Sequence, residues 1–225
     1  PIYPVYIRDG AGNVMKDSRG LQMYDFGDGK NAGMVRPNAP NANPLRLMTL
    51  DRNVSEGNAF TGTAFAEVRF LKDFKFTFNV GAGVDGRRHT SMNNMYYGQF
   101  ATNGGTLYKE HEQKFYVNLQ QLLSYDRTFA DVHNLGLLLG HETYRMNNVS
   151  VSGYKTNMFS IDNLELGGAV IDGQQAASSR SEYNNEGFFF RAQYDYADRI
   201  FLSGSYRLDA SSRFHKDRRW GSFWS

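Results

Sequence analysis

If this chain performs chemistry, only a few residues have the types and spacing for it. Gly81, Gly83 and Gly86 satisfy the G-x-G-x-x-G spacing that lets a backbone approach a pyrophosphate, but that use needs a helix to open behind the glycines. The next residues, Arg87-Arg88-His89-Thr90-Ser91-Met92, read as a loop, so the glycines are better explained as small residues on one face of a strand. The histidines lack chelating spacing: even His133 and His141, on one strand face, would stand about 27 Å apart at strand rise. Cysteine is absent, which excludes thiolate ligands, thiol nucleophiles and disulfides. Asp9 to Asn13 and Asp25 to Gly29 mix oxygen ligands with glycines but do not complete a calcium loop, so turns are expected there. No catalytic residue, metal ligand or cofactor is expected, and the chain does not read as an enzyme.

The residues best suited to touch a ligand are aromatic. Tyr96, Tyr97, Phe100 and Tyr108 fall in one polar stretch with Asn93 and Asn94, and Tyr154 and Tyr183 fall in another. Flat rings stack on sugars or grip peptides while amides hydrogen-bond polar groups; the same residues would serve equally to pack a large loop. Charge adds little, because 25 Lys and Arg against 23 Asp and Glu are scattered in both signs, which speaks against a nucleic-acid partner. The one basic run, with Arg213, Lys216, Arg218 and Arg219 around Asp217, reads as a solvated loop.

These residues must be held by β structure. Phe74, Phe76, Phe78, Val80, Ala82 and Val84 alternate with Lys75, Thr77, Asn79, Gly81, Gly83 and Asp85, the period of a long strand with one apolar face. A matching run from Ala64 to Phe70 precedes it across Leu71-Lys72-Asp73, which makes a hairpin. The pattern recurs from Phe115 to Leu139 around a turn near Asp126 to Asp131, and from Phe188 to Leu208 around Ala197-Asp198-Arg199. About six long strands follow in an antiparallel up-and-down meander.

Short turns near residues 72, 129 and 198 alternate with long polar stretches at 86–112 and 146–186. Membrane barrels keep one end tight and the other long, and these strands are long enough to cross a bilayer at a tilt. Residues 58–225 therefore read as three hairpins of a transmembrane β-barrel wall with long extracellular loops. Residues 1–57, dense in Gly, Asn, Asp and Pro, read as an extracellular loop region in which 44–50 forms a helical turn or a short strand. The mean hydropathy of −0.56 does not oppose this, because alternate strand residues of a barrel face a polar lumen. Tyr125, Tyr194, Tyr196 and Tyr206 would suit an interfacial girdle. The alternative is a soluble secreted or surface β-sandwich that binds glycan through its loops.

The last strands and the segment after them carry a family resemblance. Arg207-Leu208-Asp209-Ala210-Ser211-Ser212-Arg213-Phe214, followed by Trp220-Gly221-Ser222-Phe223-Trp224-Ser225, resembles the Arg-x-Asp-Gly-Ser-Ser-x-Phe and Trp-Gly-x-Phe-Pro-Ser run of SusC/RagA-like TonB-dependent transporters. Looser matches continue upstream at Pro1 to Tyr6, Asn43 to Leu45, His133 to Glu142 and Phe190 to Tyr196. Ala210 stands where the family usually has Gly, and Trp224 where it has Pro. The resemblance implies import of oligosaccharides or peptides through a plugged barrel in the outer membrane of a Gram-negative bacterium. It also implies TonB and a SusD-like surface lipoprotein as partners and membrane lipid around the wall. The chain itself reads as an internal barrel fragment without the plug or the TonB-contacting segment.

Overall fold

The structure, a computed structural model, describes residues 4–38, 43–172 and 176–225. Its elements are one helix, α1 (Pro44–Leu50), and eight strands: β1 (Arg52–Phe70), β2 (Phe74–Asn93), β3 (Thr106–Phe129), β4 (His133–Met158), β5 (Ala169–Asp172), β6 (Ala177–Tyr196), β7 (Ile200–Ser211) and β8 (Trp220–Trp224). The strands form one sheet in the order β1-β2-β3-β4-β6-β7-β8, with β5 paired to β4. The pairings of β4 with β5, β6 with β7 and β7 with β8 are all antiparallel. This is the all-β meander expected from periodicity, with six long strands and two short ones. Strand β2 carries the glycine motif through Gly86 without a break, so no helix N-terminus is available to a phosphate there.

The three tight turns share one conformation. Leu71 and Lys72, Ala130 and Asp131, and Ala197 and Asp198 all have positive φ, the backbone twist that matches the coil of two paired strands. None of the six is glycine, so each turn holds L-residues in a sparsely populated region. In the second and third turns the closing bonds run from Val132 N–H to the Phe129 carbonyl (3.2 Å) and from Arg199 N–H to the Tyr196 carbonyl (2.9 Å).

At the other end the strands run further than apolar alternation suggests. β2 continues to Asn93 and β3 begins at Thr106; β4 continues to Met158 and β6 begins at Ala177. In these extensions both faces carry polar residues, so ladder pairing forms the strand while the apolar signal is silent. The irregular connections narrow to 94–105 and, before β5, to 159–168.

Two compact units are distinguishable. The loop unit comprises 1–56, 87–111 and 151–178; the wall unit comprises 57–86, 112–150 and 179–225. The loop unit has its own core of Met92, Leu107, Met158 and Ala169, against which Met95, Ile161, Leu164 and Leu166 pack.

The start of the loop unit repeats every eight residues. Asp9, Asp17 and Asp25 each turn the chain by accepting backbone N–H groups: Asp9 from Ala11 (3.0 Å) and Asn13 (2.8 Å), Asp17 from Arg19 and Leu21 (both 2.9 Å), Asp25 from Gly27 (2.7 Å). Ile7 N–H bonds the Met23 carbonyl, Met23 that of Met15, and Met15 that of Ile7, closing a three-membered ring. Helix α1 follows with Asn43 as its cap, whose side chain accepts from Arg46 N–H, and with Pro44 opening the first turn.

In the wall unit the two faces of the sheet differ sharply. The β6–β7 register pairs Phe188 with Leu208, Phe190 with Tyr206, Tyr194 with Leu202 and Tyr196 with Ile200, all on one face. Phe74 and Tyr125 (centroids 4.8 Å apart) and Phe70 and Phe74 (5.5 Å) extend that face across β1 to β3. Yet much of this face is open, with Phe188 42%, Ile200 54% and Leu202 64% exposed. No second sheet covers them among the described residues. A soluble sandwich would bury such a face, whereas a membrane barrel leaves it to lipid.

Candidate functional site

The loop aromatics are largely committed to packing. Asn94, only 1% exposed, donates its N–H and Nδ2 to Asp51 Oδ1 (2.9 and 2.6 Å), while its own Oδ1 accepts from the backbones of Tyr96 (3.0 Å) and Tyr97 (2.9 Å). Tyr97 stacks on Phe26 at 5.6 Å and donates its hydroxyl to Asp17 Oδ2 (2.7 Å). The Tyr97 hydroxyl and the Arg19 guanidinium hold the Asp17 carboxyl well below the usual carboxylate range, and burial together with Asp17 pushes the Tyr97 phenol up. Arg19 also covers the Tyr96 ring at 4.0 Å.

The remaining candidates in this unit do not converge. Asn93 donates to Thr106 Oγ1 (2.8 Å) and, with Tyr97 and Phe100, borders a small cavity of about 140 Å³. Tyr108 lies 6.0 Å from the His89 ring, and Tyr154 is half-buried on β4.

The polar face of the wall unit holds a more coherent arrangement. Asn79 donates to Gln120 Oε1 (2.9 Å), Gln120 reaches Glu142 (3.5 Å), and Arg207 bridges Glu142 and Asp209, with Nε bonds to Asp209 of 2.8 and 2.7 Å. This belt runs from β2 to β7, and Arg207 must pass over β6 to complete it. It passes at Gly187, where an added Cβ would lie 2.7 Å from Asp209 Oδ1 and 3.1 Å from Arg207 Nη2. The same device recurs where the Tyr116 ring lies over Gly83 to reach Thr61 Oγ1 (2.8 Å) and where Phe189 lies over Gly140. Each glycine is a groove for a bulky neighbour.

Beside the belt lies a hollow of about 800 Å³. Its wall carries Tyr144 and Tyr183 with centroids 6.1 Å apart, and Tyr116 continues the row 6.5 Å from Tyr144. The Arg213 guanidinium sits 4.7 Å over the Tyr183 ring. Asn118 and Asn185 also line the hollow, and Asn185 Oδ1 has no hydrogen-bond donor.

Most of the motif residues meet here. Arg207, Asp209, Ser211, Arg213, Phe214, Trp220 and Gly221 all border the hollow, while the Ser212 hydroxyl accepts from Asn184 N–H (3.0 Å). Ala210 keeps ordinary extended backbone, paired with Glu186 and Trp220, so the missing glycine costs no strain. The upstream resemblance at Pro1 to Tyr3 lies outside the described residues.

Sequence reasoning passed over Tyr116 and Tyr144 as members of a site. Their even-numbered positions on the polar side of apolar-alternating strands were the available signal.

No family model matches the chain. It is 26% identical over 193 residues to the TonB-dependent receptor P3 of Formosa agariphila, a match covering 80% of this chain and 18% of that protein. It is also 26% identical over 195 residues to the TonB-dependent receptor SusC of Bacteroides thetaiotaomicron, covering 83% and 18%. The chain resembles a segment of SusC/RagA-like TonB-dependent receptors. It spans 18% of the length of these curated relatives.

Among solved structures, the chain superposes on the RagAB peptide transporter with a TM-score of 0.76 at 18% identity, covering 86% of this chain and 22% of that one. On the closed-closed state of the RagAB peptide importer the TM-score is 0.75 at 19% identity, covering 96% and 23%. These likenesses carry the barrel fold. In a barrel the apolar face of the wall unit meets lipid and the polar face lines the lumen.

Proposed function

We propose that this segment forms part of the wall of an outer-membrane transporter of a Gram-negative bacterium, one that imports oligosaccharides or peptides. In this reading the whole protein draws energy through TonB and works with a SusD-like surface lipoprotein. The observation that carries it is the two-faced wall: an open apolar face on one side, and on the other a hydrogen-bonded polar belt beside a tyrosine-lined hollow. We place cargo contact at the hollow rather than at Tyr97 and Asn94, whose polar groups are already occupied by Asp17, Asp51 and neighbouring backbone, or at Tyr96, whose ring is covered by Arg19. Phe100, Tyr108 and Tyr154 remain available to a passing ligand at the loop unit.

Neighbouring residues on β3 provide the test. With cysteine introduced in the full-length protein in outer-membrane vesicles, Asn118→Cys on the lumenal face should react with a charged, membrane-impermeant thiol reagent. Leu119→Cys, one residue on and facing lipid, should be protected. Equal reactivity of the two would defeat the reading.

A further inference from the structure

We propose that the lumenal hollow selects an anionic cargo, and that this cargo is an acidic oligosaccharide. The inference rests on reading the hollow as a cargo contact and adds the chemical class. Its floor carries no free cation, because the Arg207 guanidinium is shared between the two carboxylates of Glu142 and Asp209, and Glu186 also borders the hollow. Its rim is open. Arg213, Arg218 and Arg219 border the hollow, and the acid within that segment, Asp217, is turned to His215 at 3.4 Å. Among the described residues no carboxylate stands within ion-pair distance of these three arginines. Guanidinium groups pair bidentately with carboxylates and sulfates, and Arg213 is already held against the Tyr183 ring, so little ordering is needed for it to receive one.

The rest of the lining suits sugar better than peptide. Tyr144 and Tyr183 stand edge to face on its wall, and Asn118 beside them supplies an amide. A peptide main chain would seek a free strand edge. Here β6 pairs with β7 and β7 with β8, so among these described strands only the outer edge of β8 could take a peptide backbone, and a sugar needs no such edge. The anionic group is therefore a carboxylate or a sulfate ester carried on sugar rings.

The test is calorimetric titration of the detergent-solubilised full-length protein with four probes: hexagalacturonate, a sulfated carrageenan hexasaccharide, fully methyl-esterified hexagalacturonate and hexaglutamate. At least one acidic sugar should bind about tenfold more tightly than the neutral ester, with a preference that shrinks as salt rises. The double variant Arg213→Gln/Arg219→Gln should lose that preference and keep its affinity for the ester, and Tyr183→Ala should weaken acidic and neutral sugars alike. Which acidic sugar binds distinguishes carboxylate from sulfate. Equal binding of acid and ester, or a preference that survives in the double variant, would overturn anion selection. Tighter binding of hexaglutamate than of either acidic sugar would overturn the saccharide class. No binding of any probe, with Tyr183→Ala silent, would remove the hollow as a cargo contact altogether. Heat-modifiable migration on gels establishes that each variant is folded.

Discussion

Gly187→Ala tests whether the lumenal belt depends on a missing side chain. The new methyl would lie 2.7 Å from Asp209 Oδ1, 3.1 Å from Arg207 Nη2 and 3.4 Å from Glu142 Cγ, so Asp209 must rotate away and Arg207 must leave Glu142. The side chains of Arg207, Glu142 and Asp209 are 41%, 32% and 38% exposed, which limits each ion pair to roughly 0.2–1 kcal/mol. The crowding adds about 1 kcal/mol, the low end for overpacking because the obstructing atoms end flexible side chains. Against this, replacing glycine inside a strand returns about 0.5–1 kcal/mol.

The net expectation is a loss of about 1 kcal/mol in the native background. In the Arg207→Met/Asp209→Ala background the obstruction is gone, and the same Gly187→Ala change should stabilise by about 0.5 kcal/mol. Gly81→Ala serves as a control, since its Cβ position meets only the Thr63 methyl at 3.7 Å. Urea unfolding of the refolded full-length barrel in detergent, followed by tryptophan emission, reads all of these. The same sign and size of effect in both backgrounds would refute the glycine-groove account.

Three further outcomes are expected. Asn94→Ala removes the clasp between Asp51 and the Tyr96–Tyr97 backbone and should lower local stability by about 2 kcal/mol, seen as roughly thirtyfold faster amide exchange across 94–105. The depressed Asp17 carboxyl contributes stability that is complete above its unfolded value of about 4 and is lost as pH falls through its folded value; amide exchange at Arg19 and Leu21 should accelerate in acid, and Asp17→Asn should abolish that dependence. Leu139→Arg on the lipid face should cost about 2–4 kcal/mol in barrel folding, whereas Asn118→Arg on the lumenal face should cost under about 1 kcal/mol; equal costs would contradict the assignment of faces.

What the sequence reveals and what it conceals divide along a physical line. The wall was legible because lipid contact imposes a period of two on single strands: Phe74 to Val84 carries its own evidence, and the turns at 71–73 and 197–199 follow from where that period breaks. The outer ends of β2, β3, β4 and β6 were not, because nothing apolar is required of either face there and the strands exist through pairing. The eight-residue recurrence of Asp9, Asp17 and Asp25 was present in the sequence but looked like separate turns, since its meaning lies in a backbone ring that no side-chain pattern announces.

The lumenal site was hidden for a stronger reason. Gly187 and Arg207, Gly83 and Tyr116, and Tyr144 and Tyr183 become neighbours only once strand register is fixed, and a slip of one residue would put each pair on opposite faces. Glycine on a lumenal strand face is therefore better understood as space for a neighbouring strand's side chain than as backbone freedom: Gly83, Gly140 and Gly187 all have φ outside the left-handed region, and each is crossed by a side chain from the next strand or beyond. The belt and the hollow are built from these crossings, which is why the residues that form them are ordinary in sequence and specific only in the fold.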